Sequence, residues 1–287
     1  MSDSDIQTFY LDNRQDWKAA YDRDGVARIN GVFSAEELAE METFFDNYIE
    51  DPSGALQAQA VALADAYRGA KLDQVDRKKG QVRALHPHRI HPDPVNKWYL
   101  HPNVAHVLEG LFGKPALAAQ TMYYYKPPGS KGQGMHQDNF YLLAAPATCI
   151  GVWTAIDDAT EENGCLWMAP GSHREGVFCP GADRTEPWNE YGDTHIVPFP
   201  RQHRPQPVPV RRGETLFFHG LVIHGSGPNR SSSRWRRSFI SHYCDEATET
   251  ISRFYHPVLN MRGEILSEIT AHAGGGPCGD DWKGEEH

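Results

Sequence analysis

Apolar residues recur at helical spacing near the start of the chain and alternate with polar ones further along. That change of period predicts a helical N-terminal part followed by a β-rich body. Residues 14–23 carry Trp17, Ala20 and Tyr21 on one face and predict a short amphipathic helix. Asp24-Gly25 reads as a turn, Val26 to Ile29 as a strand, and Asn30-Gly31 as its end. Ser34-Ala35-Glu36-Glu37 is a capping box, in which the Ser34 hydroxyl and the Glu37 carboxylate each satisfy a backbone N–H that the helix cannot. Leu38, Met41, Phe44, Phe45 and Tyr48 follow as one stripe, a core-packing face. The alanine-rich residues 55–70 predict a second helix or a mobile loop, and Val104 to Phe112 a further helix stopped by Gly113.

From about residue 116 the period becomes two. Leu117 to Lys126 places Gln120, Met122 and Tyr124 on one face and Thr121, Tyr123 and Tyr125 on the other. Ile150 to Ile156, Cys165 to Met168, Thr215 to His219 and Arg237 to Tyr243 are further strands, separated by Pro- and Gly-containing turns. Residues 174–207 have no clear period and predict an insertion over the site, since long loops in compact domains are usually functional. After Glu246 regularity fades into a Gly-rich, charged tail that reads as disordered. Many short strands with turn signals predict a mainly β fold, a sandwich or barrel, with flanking helices. The expected organisation is one domain over 1–287: a mostly helical part (1–115), a β core (116–245) and a C-terminal tail (246–287).

Composition narrows the class. With 287 residues, 39% hydrophobic and 11% aromatic, the chain has material for a sizeable core. A net charge of −10 argues against a nucleic-acid partner, which would want a basic stripe. The five cysteines lack C-x-x-C spacing and predict reduced thiols in a cytoplasmic protein. The start lacks an apolar signal-peptide core, and no run of about 18 apolar residues suggests a membrane span.

The chemistry concentrates at Met135-His136-Gln137-Asp138-Asn139-Phe140-Tyr141. On an extended strand His136 and Asp138 leave the same face, where an imidazole nitrogen and a carboxylate oxygen can grip one metal ion. Two histidines and one carboxylate with open positions is the ligand set of non-haem Fe(II) oxygenases. A distant histidine would complete it, and His219 and His224 are the candidates. Arg83 to His91 holds three more histidines, His86, His88 and His91. Pro87, Pro92 and Pro94 interrupt that segment, so it reads as a loop near the site mouth rather than a second metal site.

Several motifs carry a family resemblance: Lys126-Pro127-Pro128, His136-Gln137-Asp138, Trp153-Thr154, Asn163-Gly164-Cys165-Leu166, Pro170-Gly171-Ser172-His173 and His224-Gly225-Ser226-Gly227-Pro228-Asn229 with a downstream Arg. Together they resemble the phytanoyl-CoA dioxygenase family, and in the same places ectoine hydroxylases. The resemblance implies a double-stranded β-helix (jelly-roll, cupin-like) core and dependence on Fe(II), 2-oxoglutarate and O2. It places the third ligand at His224, leaving His219 as a structural or pocket residue. It places the 2-oxoglutarate anchor at Arg236, with Arg237 as the alternative because the preceding loop is one residue longer than in the relatives. An Arg fork matches a carboxylate well. Ser226 is expected at the same carboxylate, and Trp153, Met122 and Tyr124 beside the cosubstrate; Trp153 and Met122 read equally as core. Gln120, Asn139, Tyr141, Trp167 and His219 are the expected substrate contacts. A carboxylate at 138, where halogenases of this broader group carry a small residue, implies hydroxylation or another oxidative outcome. The polar and aromatic lining points to a small polar or amphipathic substrate. A His2Asp zinc hydrolase would use the triad and leave Arg236 without a role, whereas a non-catalytic jelly-roll binding protein would not need all three ligands.

Overall fold

The computed structural model describes residues 6–50, 61–63, 81–179, 200, 202–273 and 278. The chain opens with β1 (Thr8–Tyr10), α1 (Arg14–Asp24), β2 (Val26–Asn30) and α2 (Ala35–Glu50). Gly25 ends α1 at φ 76°, its N–H returning to the Tyr21 carbonyl. The capping box forms as the sequence implies: Ser34 N donates to Glu37 Oε2 (2.9 Å), and Glu37 N to Ser34 Oγ (3.2 Å).

Next comes β3 (Val61–Leu63), paired with β4 (Gln81–Leu85). The rest of the alanine-rich 55–70 stretch lies outside the described residues. The histidine-rich segment corrects the expected loop. It continues from β4 into α3 (Pro87–Ile90) and α4 (Pro92–Tyr99), with prolines in the first turn of each helix. A proline there loses no helical hydrogen bond and presets φ, so these prolines start helices instead of breaking them. His88 is buried against Thr121 (Nδ1 to Oγ1, 2.6 Å), and His91 lies against the rings of Phe44 and Tyr48. α5 (Pro102–Phe112) then leads to the β core.

Eight core strands follow: β5 (Ala116–Lys126), β6 (Gln133–His136), β7 (Ile150–Ala155), β8 (Leu166–Met168), β9 (Gln206–Val208), β10 (Thr215–His219), β11 (His224–Ser226) and β12 (Arg236–Asp245). Strands β10, β7, β12 and β5 are neighbours in the larger sheet, which β1 to β4 extend; β6, β11, β8 and β9 form the smaller one. All core pairings are antiparallel. The chain thus passes back and forth between two facing sheets, a double-stranded β-helix.

The two faces of the larger sheet have separate tasks. Outward residues Tyr123, Tyr125, Phe217, Phe239 and Tyr243 form the main core with Trp17, Phe45, Trp98 and Val107 of the helices. Phe45 stacks on Tyr123 at 4.0 Å between centroids. Tyr125 OH donates to the Phe45 carbonyl (2.7 Å), so this buried hydroxyl is satisfied by a backbone carbonyl of α2. Inward residues face the smaller sheet and line the site.

Two expectations are corrected at the C-terminal end. The segment after Glu246 is ordered through residue 273, with β13 (Thr250–Ile251), β14 (Leu259–Asn260) and β15 (Thr270–Ala271). Ile251, Tyr255, Val258 and Ile269 bury against Leu142 and Cys244, apolar anchors that the charged residues around them mask in sequence. The cysteines are not all reduced: Cys179 and Cys278 form a disulfide with Cα atoms 5.2 Å apart, while Cys149, Cys165 and Cys244 are free and buried. Remote cysteines meet through tertiary folding, which leaves no spacing signal. Reduced thiols were the ground for a cytoplasmic setting, and this pairing removes it. No described helix is long and apolar enough to cross a membrane.

Candidate active site

Strand β6 ends at His136, and Gln137 stays extended (φ −126°, ψ 129°) before Asp138 opens the short helix α6 (Asp138–Leu142). Asp138 therefore sits on a helix start and not on a strand, yet the extended Gln137 keeps both side chains on one side. His224 opens β11 directly across from His136. The ligand atoms of His136, Asp138 and His224 lie within 4.8 Å of one another and all three residues are buried, a donor set able to hold one metal ion. It is the one such cluster found among the described residues; His86, His88 and His91 do not form another.

The tautomers follow from the backbone. His136 Nδ1 is 2.7 Å from the Gly134 carbonyl and His224 Nδ1 is 3.0 Å from the Val222 carbonyl. A carbonyl only accepts, so both Nδ1 atoms carry hydrogen and both Nε2 lone pairs face the cluster. These Nε2 atoms stand 3.6 Å and 3.5 Å from Asp138 Oδ1. Asp138 Oδ2 lies 3.1 Å from Nε2 of His242, a residue 1% exposed. Close behind is Gly151 on β7, where a Cβ would stand 3.0 Å from Asp138 Oδ2 and 2.6 Å from the Phe218 ring. Only glycine leaves this carboxylate its place.

Around the cluster is a cavity lined by Met122, Tyr124, Trp153, Phe218, Arg236 and Ile240 of the larger sheet and Gln133, Leu166 and His224 of the smaller. Arg236, 2% exposed, spans the Trp153 and Tyr124 rings (5.7 and 6.0 Å). It donates through Nε to the Gly164 carbonyl and through Nη1 to Ser238 Oγ, both at 3.1 Å. No carboxylate among the described residues is within ion-pair distance of it. Burial pushes its guanidinium down to about 10, so it remains a cation at neutral pH. Arg237, one position on, points out of the barrel to Asp157, Asp46 and Glu42. Alternation along β12 separates the two arginines: the inner one meets the cavity, the outer one the helices. Ser226 is buried and accepts a hydrogen bond from Lys126 Nζ (2.9 Å).

The expected substrate contacts divide. Gln120 is fully buried on the inner face of β5, opposite His242, and neither amide atom has a hydrogen-bond partner among the described residues. Tyr141 faces the His136 ring at 6.0 Å. Asn139 instead spans a turn, bonding both polar groups of Ala144. Trp167, next to the cavity-lining Leu166, packs near Met135 and Ile223 and also against the inner apolar cluster. His219 turns away from inward Phe218 and sits between Tyr21 and His173. Asn139, Trp167 and His219 thus each have packing or hydrogen-bond partners within the protein and do not line the cavity around the triad. The sequence reading gives no role to His242 or Gln133; Arg83, from the segment expected at the site mouth, donates through Nη1 to Tyr124 OH (3.1 Å). Counting in twos from Arg236 through Ser238 and Ile240 would have reached His242.

The phytanoyl-CoA dioxygenase (PhyH) family model matches residues 21–238. The chain belongs to the phytanoyl-CoA dioxygenase family. Phytanoyl-CoA dioxygenase 1 of Oryza sativa subsp. japonica is 37% identical over 214 residues, 72% of each chain. Among solved structures, the epimerase SnoN in complex with Fe3+, alpha ketoglutarate and nogalamycin RO matches with TM-score 0.64 at 23% identity, covering 82% of this chain and 85% of that one. EctD from S. alaskensis with 2-oxoglutarate and 5-hydroxyectoine matches with TM-score 0.62 at 20% identity, covering 87% and 80%. At that identity the likeness is one of fold. As a PhyH member whose buried His-Asp-His donor set fits a divalent metal and whose unpaired buried Arg236 fits a carboxylate, the protein is a non-haem Fe(II)/2-oxoglutarate-dependent dioxygenase.

Proposed function

We propose that this PhyH dioxygenase hydroxylates an unactivated C–H bond of a small polar or amphipathic molecule, converting 2-oxoglutarate to succinate and CO2. His136, Asp138 and His224 would hold Fe(II), which when bound would supply the oxidising chemistry with O2 and cosubstrate. Arg236 takes the distal carboxylate of 2-oxoglutarate with help from the Ser226 hydroxyl. Trp153, Met122 and Tyr124 wall that end of the cavity. Their rings and thioether exclude water from the buried charge pair and so strengthen it.

The observation that carries the reading is Arg236, a buried guanidinium with no acidic partner among the described residues, in the same cavity as the triad. A zinc hydrolase would use the triad and leave that cation uncompensated, which is costly at such depth. The polar character of the substrate rests on Gln120, whose unpaired buried carboxamide is satisfied if a bound molecule supplies a donor and an acceptor. The test is a screen of small polar compounds and acyl-CoA thioesters with Fe(II), 2-oxoglutarate and O2. A polar compound is expected to stimulate succinate formation and to yield a product one oxygen atom heavier. Stimulation by acyl-CoA thioesters alone, or turnover with Zn(II) and no O2, rejects the reading.

A further inference from the structure

Lys126 ends β5 with its side chain inside the barrel, 4% exposed. Its Nζ donates to Ser226 Oγ at 2.9 Å and to the Gly227 carbonyl at 2.6 Å. Gly164, at φ 88°, makes room for this: a Cβ there would stand 2.5 Å from the Gly227 oxygen and 2.9 Å from Lys126 Cδ. The Gly164 carbonyl also receives Arg236 Nε. A buried guanidinium and a buried lysine amine thus flank one glycine, with no acidic group of the described residues at ion-pair distance from either. Burial first, and then the Arg236 guanidinium, push the Lys126 ammonium well below its ordinary range, and the Cys165 thiol opposes that. Two basic groups buried without an anion favour a dianion entering the cavity, which stabilises the protonated lysine beside the guanidinium.

The hydrogen-bond directions add a second point. An ammonium has three donors and no acceptor. Because Ser226 Oγ accepts from Lys126, its own proton is turned away from the lysine and is available to a ligand.

We propose that Lys126 is a positioning residue for 2-oxoglutarate: it orients the Ser226 hydroxyl as a donor to the distal carboxylate and supplies the second positive charge of the anchor. This rests on the reading of the cavity as the cosubstrate pocket. A purely space-filling lysine would serve any ligand of the same length equally, whereas an electrostatic one discriminates by the distal carboxylate.

The experiment measures calorimetric dissociation constants of the Co(II)-loaded protein for 2-oxoglutarate and for 2-oxopentanoate, which has the same carbon chain without the distal carboxylate. Lys126→Met is expected to weaken 2-oxoglutarate by about tenfold or more, the scale of one hydrogen bond to a charged group, and to leave 2-oxopentanoate nearly unchanged. Lys126→Gln, which keeps a donor for the Gly227 carbonyl, is expected to do the same and serves should the Met variant not fold. In the Ser226→Ala background the loss from Lys126→Met should shrink markedly, since the two residues act on one group. Equal loss for both ligands, an unchanged 2-oxoglutarate constant, or full additivity with Ser226→Ala overturns the role of Lys126. A wild-type protein that binds neither ligand, or both alike, overturns the cosubstrate pocket itself.

Discussion

Asp138 draws three imidazoles around one carboxylate, and the division of its oxygens decides their roles. Oδ1 lies toward His136 and His224, Oδ2 toward His242 at 3.1 Å. A group that fixes the far oxygen of a metal-binding carboxylate fixes the near one as well. His242→Ala should therefore weaken Co(II) binding by about 10–100-fold, with part recovered in His242→Gln. A titration showing the Ala variant unchanged removes His242 from the account. His219 acts on stability instead. Burial first, and then the charge of His173, push its imidazole from 6.5 down to about 4. The unfolded state then binds more protons over that interval. Its contribution to stability is whole above about pH 6.5 and is lost as pH falls toward 4, at about 1.4 kcal/mol per pH unit where the gap is fully open. Urea midpoints should decline over that window and decline less in His219→Gln; identical pH profiles would contradict this.

At the scale of elements, local physics was legible and face parity was not. α2 was readable because its cap and its stripe from Leu38 to Tyr48 are short-range features, and the Ser34–Glu37 bonds form as expected. Ser34→Ala should cost about 1 kcal/mol in urea unfolding and leave 2-oxoglutarate binding unchanged; a shift in binding would mean that α2 reaches the site. The alternation of β5 was likewise visible, with Tyr123 and Tyr125 turned to the helices and Met122 and Tyr124 to the cavity. On β8 and β10 the period was visible but not its sign. Which of Trp167 or Leu166, His219 or Phe218, reaches the cavity around the triad depends on the facing sheet, and there it is Leu166 and Phe218. The prolines of 87–94 misled for another reason: the same residue that breaks a helix interior starts one at its first turn.

The whole molecule places His136 and His224 across from each other on the smaller sheet, while β12 of the larger brings Arg236 to the same cavity. The family resemblance implies the pairing of His136 with His224 and leaves Arg236 and Arg237 as alternatives, which only the face parity of β12 separates. The link between Cys179 and Cys278 was not readable, because only the finished fold brings them together. It closes a separation of 99 residues, and in the chain-entropy limit such a link contributes about 4–5 kcal/mol. Reduction should lower the urea midpoint, and an unchanged midpoint would mean that the link does not form in solution. The claim on which the rest depends is that iron and 2-oxoglutarate meet in this barrel and react with O2. The direct measurement is mass spectrometry of succinate formed by the Fe(II)-loaded protein from 2-oxoglutarate under 18O2. Succinate carrying one labelled oxygen, and none formed by Asp138→Ala, is the predicted result; unconverted 2-oxoglutarate, or unlabelled succinate made without O2, contradicts it.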